Sequence, residues 1–181
     1  NFGVAAIAVD RQQFTGQPTG RADYDRALVD AVAAQAPDLI VLAGYMRLLD
    51  EGFIKRFHRK IINIHPSLLP AFKGLNAQQQ ALAAGVRIAG CTVHFVDVEV
   101  DSGPIIAQGA VPVLSEDSVE SLSERILAVE HQLLPAVVKL FACQAITVSA
   151  GNEKGKDKVT VDLPADELAL RTPPQDVLKG V

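Results

Sequence analysis

The chain contains 181 residues, of which 49% are hydrophobic and 21% are charged. It has 17 lysines and arginines against 21 aspartates and glutamates, which gives a formal net charge of −4. This composition is typical of one globular domain and excludes a wholly disordered chain. The acidic balance argues against nucleic acid or an anionic membrane as a partner. The apolar run 39–46 is far shorter than the roughly 18 residues of a membrane span, so we expect a soluble protein.

The first half of the chain predicts helices and strands in alternation. Apolar residues recur at helical spacing over about residues 21–36, and Pro37 then ends the helix. The continuous apolar run 39–43 is typical of a strand that is buried on both faces of a parallel sheet. The next expected elements are a short helix over residues 50–57, a strand over 60–65, and a helix over 76–84 that ends at Gly85.

The second half predicts strands over residues 90–96 and 104–113, joined by an acidic loop. The longest helix should begin at Asp117, because the spacing to Glu120 indicates an N-cap and its reciprocal partner. Pro135 inside this helix predicts a kink or a break. The later segments 145–149 and 159–163 predict a hairpin with a charged, mobile turn, followed by a loose tail.

Two cysteines, Cys91 and Cys143, lie in apolar sequence without the spacing of a metal site or a disulfide framework. We expect both thiols to be buried. We also expect a reducing, cytoplasmic compartment, where disulfides are rare.

Asn63 and His65 are the first candidates for chemistry. Side chains alternate along a strand, so both project from the same face at the carboxyl end, where open α/β sheets place ligands. Alternatively, a polar pair at a strand end can have a purely structural role and only form hydrogen bonds with backbone groups.

Asp101 is the next candidate, at the end of the acidic loop between two apolar strands. Such acidic runs are usually solvated turns. If the two strands neighbour the strand that carries His65, Asp101 can approach that histidine and stabilise its charged form. His65 could then act as a general acid, and Asn63 could donate a hydrogen bond to a developing oxyanion, an arrangement suited to acyl transfer.

Linked motifs resemble the glycinamide ribonucleotide formyltransferases of purine biosynthesis, from about residue 21 to residue 142. They are Asn63-Ile-His-Pro-Ser-Leu-Leu-Pro70, Thr92-Val-His-Phe-Val96, Val100-Asp-Ser-Gly-Pro-Ile-Ile-Ala-Gln108, the run 37–49 and the run 125–135. The resemblance implies a Rossmann-like α/β fold with a mostly parallel sheet, helices on both faces and a C-terminal hairpin. We assign residues 1–144 to this domain and residues 145–181 to the hairpin and tail.

The same resemblance implies formyl transfer from 10-formyltetrahydrofolate to the amine of glycinamide ribonucleotide, without a metal. Asn63 would hold the formyl oxygen, His65 would act as the general acid, and Asp101 would keep that histidine protonated. Both partners would be small molecules, and neither nucleic acid nor a membrane is expected.

The resemblance also implies which residues hold the two substrates. Folate contacts are expected from Asn63 and from Arg21, Met46, Arg47, Leu48, Leu49, Asp97, Val98, Glu99, Val100 and Asp101. Ribonucleotide contacts are expected from Glu130 and from the backbone of Leu127, Ala128 and Val129. Thr92 and His94 are expected to support the site. Without the resemblance, the sequence fits a second interpretation of Glu130 equally well. In this interpretation Glu130 lies at the edge of the apolar helical stripe and its side chain reaches water.

Two departures from the family pattern are visible. The chain begins at Asn1 without a methionine, and we find no strand and glycine-rich loop of the kind with which this family holds the phosphate. We therefore expect the domain to be incomplete at its N-terminus. Asn76 stands where many relatives carry histidine.

Three alternatives remain. A formyltetrahydrofolate deformylase uses the same three side chains with water as the acceptor, but usually has His-His-Ser-Phe-Leu-Pro where this chain has residues 65–70. A methionyl-tRNA formyltransferase needs a basic C-terminal domain, which the short acidic tail does not resemble. The third alternative is a non-catalytic folate-binding fragment.

Overall fold

The predicted helices and strands are all present in the computed structural model, which describes residues 3–16, 18–150 and 157–162. The helices are a 3₁₀ turn at Arg11–Phe14, α1 at Gly20–Ala33, α2 at Glu51–Arg56, α3 at Ala77–Ala83 and α4 at Val119–Ala142. The strands are β1 at Ile40–Leu42, β2 at Ile61–His65, β3 at Ile88–Phe95, β4 at Ile105–Pro112, β5 at Ile146–Ser149 and β6 at Lys158–Val161. The predicted tail and most of the charged turn lie outside the described residues.

The main sheet has the strand order β1-β2-β3-β4 among the described residues. Strands β1 and β2 are parallel, whereas β2 with β3 and β3 with β4 are antiparallel. The prediction of a mostly parallel sheet is therefore wrong for the described strands. The physical reason is clearest between β3 and β4, because their loop is shorter than the dozen or more residues that a parallel crossover needs. Strands β5 and β6 form the predicted hairpin.

Helices cover both faces of this sheet, as predicted. Ile61 and Ile62 are adjacent in β2 and therefore point to opposite faces. Ile61 joins a cluster with the apolar residues of α1 and α2, while Ile62 joins a cluster with residues of α3 and α4. The hydrophobic core thus has two layers, one on each side of the strands.

Strand β1 is not buried on both faces, contrary to the prediction. Ile40 and Leu42 pack toward the α1 and α2 side, but Val41 points the other way and is 39% exposed. The reason is its position, since α4 packs over β3 and β4 rather than over this edge of the described sheet.

Helix α4 begins one residue later than predicted. Ser118 is its N-cap and forms a reciprocal capping box with Ser121, rather than Asp117 with Glu120. Asp117 instead accepts two hydrogen bonds from the Arg125 guanidinium, at 2.7 and 2.8 Å. The helix runs through Pro135 without a break. Neither α4 nor any other helix in the described part of the chain is long and apolar enough to cross a membrane.

The two cysteines differ in their surroundings. Cys91 is fully buried in β3, and burial, together with the negative charge of Glu130, raises the pKa of its thiol to about 12. Cys143 is exposed at the C-terminal end of α4, so the prediction of two buried thiols is wrong for this residue. The reason is that Cys143 is the C-cap of α4, beyond the helical stripe that faces the sheet.

Candidate active site

Strands β2 and β3 place four polar side chains on one face of the sheet. In the antiparallel register Asn63 lies opposite His94 and His65 lies opposite Thr92. Residues directly opposite each other share a face, so the four side chains are neighbours. His65, Thr92 and His94 are all buried. The shared face of Asn63 and His65 that the sequence predicted is confirmed.

Asp101 completes the cluster from the loop between β3 and β4. Its Oδ2 atom lies 3.3 Å from Nδ1 of His65, and both side chains are about nine-tenths buried. Asp101 has a left-handed backbone with φ of 48°, which the sequence did not indicate. The backbone N–H of Gly74 donates to the same Oδ2 atom at 2.8 Å. The predicted approach of Asp101 to His65 is therefore present.

The second ring nitrogen of His65 is also engaged. Its Nε2 atom lies 3.0 Å from the carbonyl oxygen of Phe72, a residue with φ of 53° in the loop before α3. Both ring nitrogens thus face oxygen acceptors. Only the imidazolium form can donate to both at once. The surroundings therefore suit a protonated histidine that has a proton to give.

His94 has different hydrogen-bond partners from those of His65. Its Nδ1 atom lies 2.8 Å from the carbonyl oxygen of Phe95, so this nitrogen carries the hydrogen. Burial lowers the pKa of His94, although the Phe95 carbonyl and the Asp101 carboxylate oppose that shift. The neutral ring leaves Nε2 as an acceptor for the Nδ2 amide of Asn63 at 3.3 Å. Since His94 is neutral, its approach to Oδ1 of Asp101 at 3.7 Å is not an ion pair.

Thr92 anchors the segment that follows His65. Its hydroxyl donates to the carbonyl of Ser67 at 2.6 Å and accepts from the N–H of Leu69 at 3.0 Å. The amide of Gln108 donates to the same hydroxyl and to the Leu69 carbonyl, at 3.0 and 2.9 Å. Thr92 therefore holds the loop after His65 in place.

The residues expected to hold folate divide into two places. Arg21, Arg47 and Leu48 line a cavity of about 470 Å³ beside α1, and Asn63, His65 and Asp101 are not among its lining residues. Met46 is 79% exposed, and Leu49 packs against the α2 cluster instead.

The other expected folate segment is the exposed loop of residues 97–100 that leads into Asp101. Lys73 approaches it from the loop before α3, with its ammonium 3.5 Å from the carboxylate of Glu99. Two loops therefore meet above the pair of His65 and Asp101. Contacts by Val98 and Val100 with a ligand remain predictions.

The expected ribonucleotide segment lies on α4. Leu127 and Ala128 are exposed, while Val129 packs against the sheet. Glu130 is half-buried, and burial raises the pKa of its carboxyl group despite the opposing charges of His131 and His65. The charge of His65 therefore acts on the Glu130 carboxyl group, whereas a contact of Glu130 with the ribonucleotide remains a prediction.

Backbone groups are what the sequence missed. The Phe72 carbonyl and the Gly74 N–H contact His65 and Asp101, but no side-chain motif encodes them. The signal that the sequence offered was Gly74, because glycine is typical of turns, and its φ of 78° in the structure agrees with a turn. Arg11, which also lines the cavity, lies in a stretch without a recognisable motif.

Comparison with known proteins assigns the chain to a family. The sequence model of the family described as formyl transferase matches residues 5–138. The chain belongs to the formyl transferase family. Within the matched segment lie the strands that carry Asn63, His65 and His94, and the loop that carries Asp101.

Individual relatives agree with this assignment. The chain is 47% identical over 154 residues to a Gallus gallus trifunctional purine biosynthetic protein adenosine-3, covering 85% of this chain and 15% of that protein. The structure of glycinamide ribonucleotide transformylase 1 from Symbiobacterium toebii matches with a TM-score of 0.72 at 50% identity, covering 78% of this chain and 64% of that one. A formyltetrahydrofolate deformylase from Pseudomonas syringae pv. tomato has the same TM-score of 0.72 at 30% identity, with coverages of 80% and 47%. The chain therefore spans less than two thirds of each of these three proteins.

Proposed function

We propose that this formyl transferase moves the formyl group of 10-formyltetrahydrofolate to the amine of glycinamide ribonucleotide. The observation that carries the proposal is the cluster of Asn63, His65 and Asp101 at the ends of β2 and β3. Purine-biosynthetic names among the relatives support the nucleotide as the acceptor. No metal is part of the proposal.

The amine attacks the formyl carbon and forms a tetrahedral intermediate with negative charge on the formyl oxygen. Asn63 has one amide hydrogen directed to His94 and a second one with no partner among the described residues, and this second hydrogen donates to the oxyanion. His65 gives its proton to the folate nitrogen as the bond from carbon to that nitrogen breaks. The attacking amine loses a proton, which restores the imidazolium. Asp101 keeps the ring oriented and stabilises its charge.

Each of the two substrates binds its own set of residues. The folate extends from His65 past the loop of residues 97–101 toward Arg21 and the segment of residues 46–49. The ribonucleotide lies along residues 127–130 of α4, where the half-buried carboxyl group of Glu130 faces the amine or the ribose.

A second candidate function is hydrolysis of 10-formyltetrahydrofolate to formate. The structural likeness to the Pseudomonas syringae deformylase favours it, and the same three side chains would serve with water as the acceptor. The run His65-Pro-Ser-Leu-Leu-Pro70 favours the transferase.

Dependence on the nucleotide separates the two functions. The protein is incubated with 10-formyltetrahydrofolate with and without glycinamide ribonucleotide, and tetrahydrofolate, formate and formylated nucleotide are measured. We expect formylated nucleotide, and tetrahydrofolate only when the nucleotide is present. His65→Ala should lower the rate by about 10²- to 10⁴-fold. The matched control is His58→Ala, since His58 is an exposed histidine outside the cluster.

Two results would contradict the proposal. Release of formate at a rate that ignores the nucleotide would assign the deformylase reaction. Folate binding without turnover under either condition would assign a binding module.

A further inference from the structure

The loop before α3 gives two backbone groups to His65 and Asp101, which together form the His–Asp pair. The carbonyl oxygen of Phe72 lies 3.0 Å from Nε2 of His65, and the N–H of Gly74 donates to Oδ2 of Asp101 at 2.8 Å. Both groups belong to the stretch of residues 72–75, which we call the clamp loop. The orientation of the His–Asp pair therefore depends on the backbone conformation of the clamp loop.

The clamp loop has a conformation that its residues do not all favour by themselves. Phe72 has φ of 53°, Gly74 has φ of 78°, and Asn76, directly after the loop, has φ of 58°. Glycine adopts this left-handed region readily, whereas phenylalanine is uncommon there. Such a backbone persists only where surrounding contacts hold it. The contacts that hold the clamp loop therefore help to determine the geometry of the site.

Gln80 of α3 supplies two of these contacts. Its Nε2 amide donates to the carbonyl of Lys73 at 3.2 Å and to the carbonyl of Leu75 at 2.9 Å. These two carbonyls flank Gly74, and the amide group has the two hydrogens that both bonds require. Among the described residues, no other side chain outside the His–Asp pair forms a hydrogen bond with the backbone of the clamp loop.

Helix α3 gives Gln80 a fixed base. Ala77 and Ala81 of this helix are 1% and 2% exposed, and Ala81 belongs to the core cluster that includes residues of α4. Gln80 itself is exposed, so its side chain adds little to that core. The ion pair of Lys73 with Glu99 is a weaker link to the clamp loop, since its atoms are 3.5 Å apart and Glu99 is 76% exposed. Gln80 thus connects the clamp loop to the core through hydrogen bonds.

We propose that Gln80 is a positioning residue for proton transfer. Its amide holds the clamp loop in the conformation that keeps the Phe72 carbonyl against His65 and the Gly74 N–H against Asp101. Without these hydrogen bonds the clamp loop leaves the His–Asp pair part of the time, and the ring of His65 is oriented for proton transfer less often. The inference rests on the proposed function, because it takes His65 as the general acid.

Replacing Gln80 by methionine tests the inference, because methionine has a similar length and no N–H donor. The matched control is Gln79→Met, since Gln79 is exposed on the same helix and its side chain forms no hydrogen bond in the described part of the chain. The measured quantities are kcat for formyl transfer and KM for 10-formyltetrahydrofolate. Thermal unfolding of each variant checks that the fold is intact.

We expect Gln80→Met to lower kcat about tenfold, while KM for the folate changes less than about twofold. KM should change little because Gln80 does not line the cavity that holds the expected folate residues Arg21, Arg47 and Leu48. Gln79→Met should keep both constants of the unmodified protein.

Hydrogen exchange of the Gly74 amide, followed by NMR, gives a second readout that needs no substrate. This N–H is protected from exchange while it donates to Asp101. We expect the amide to exchange about tenfold faster in Gln80→Met and at an unchanged rate in Gln79→Met.

Three results would overturn the inference. The first is an unchanged kcat in Gln80→Met. The second is an equal loss of kcat in both variants, which would indicate an effect of surface polarity on α3. The third is a lower kcat with unchanged exchange at Gly74, which would show that Gln80 acts by a route other than the clamp loop. If the unmodified protein forms no formylated nucleotide, the proposed function fails, and the exchange rate of Gly74 still decides whether Gln80 holds the clamp loop.

Discussion

At the scale of the residue, the two histidines of the site have different hydrogen-bond partners. His65 has an acceptor oxygen at each ring nitrogen, whereas His94 has one acceptor oxygen and one amide donor. A charged His65 can donate a proton, and a neutral His94 can accept from Asn63. In the proposed function His65 carries out proton transfer, and His94 sets the direction of the Asn63 amide.

The role of His94 can be tested through Asn63. In His94→Phe the acceptor for the Asn63 amide is lost, so that amide can rotate and present its oxygen to the oxyanion. We expect kcat for formyl transfer to fall about tenfold or more with little change in folate affinity. His94→Gln keeps an amide oxygen as an acceptor and should recover part of the rate. An unchanged kcat in His94→Phe would show that Asn63 does not depend on this contact.

Residue-scale prediction from sequence succeeded for side chains and failed for backbone groups. Asn63 and His65 were predictable because the alternation along a strand determines which side chains share a face. The Phe72 carbonyl was not predictable, because its direction depends on a left-handed φ that a phenylalanine rarely adopts.

At the scale of the element, a glycine decides how closely α4 approaches the sheet. A Cβ atom at Gly109 of β4 would overlap Cγ1 of Val129 and lie 3.6 Å from Sγ of Cys91. Val129 cannot readily turn away, because a β-branched side chain in a helix has one strongly preferred rotamer. The missing side chain at Gly109 therefore lets the helix that carries Glu130 lie close to β4.

Replacing this glycine should push the helix outward. We expect Gly109→Ala to lower the free energy of unfolding by about 1–3 kcal/mol, measured by denaturant titration. The double variant Gly109→Ala with Val129→Ala should be no less stable than Val129→Ala alone, because the smaller side chain makes room. Additive losses in the double variant would contradict this account of the contact.

Element-scale prediction was accurate where patterns are local. The apolar stripe predicted α4, and the turn residues around Gly85 predicted the end of α3. The prediction of mostly parallel strands was wrong, because strand direction depends on the connection between two strands rather than on the residues within each strand. The capping box was misplaced for a related reason. Arg125 lies two turns further along the helix and binds Asp117, which leaves the cap to Ser118.

At the scale of the whole molecule, hydrogen bonds around the loop between β4 and α4 connect the sheet to this long helix. The Asp117 carboxylate accepts from Arg125 and from the backbone N–H of Leu114, while Arg125 also donates to the Pro112 carbonyl. These hydrogen bonds from Arg125 hold the pKa of Asp117 well below its ordinary value. The folded state therefore binds this proton more weakly than the unfolded state does.

The sign of the pH dependence follows from that shift. A depressed pKa stabilises the fold above the unfolded value of about 3.9, and this stability is lost as the pH falls below it. We expect Asp117→Asn to be less stable than the unmodified protein by about 2 kcal/mol at pH 7, with the difference shrinking below about pH 4. Denaturant titrations at several pH values measure it. The matched control is Asp38→Asn, since Asp38 is exposed and has no ion pair in the described ranges. A difference that stays constant down to pH 2 would rule out this linkage.

The sequence by itself determined the elements, the family and the three side chains of the candidate site, because periodicity and motif spacing are local properties of the chain. The tertiary structure decided the strand directions, the hydrogen-bond partners of the two histidines and the presence of Arg11 in the cavity lining. Each of these depends on groups distant in sequence that approach within a few ångströms. The approach of Asp101 to His65 and the lining of one cavity by Arg11 and Arg47 depend on packing between separate elements, which no local pattern encodes.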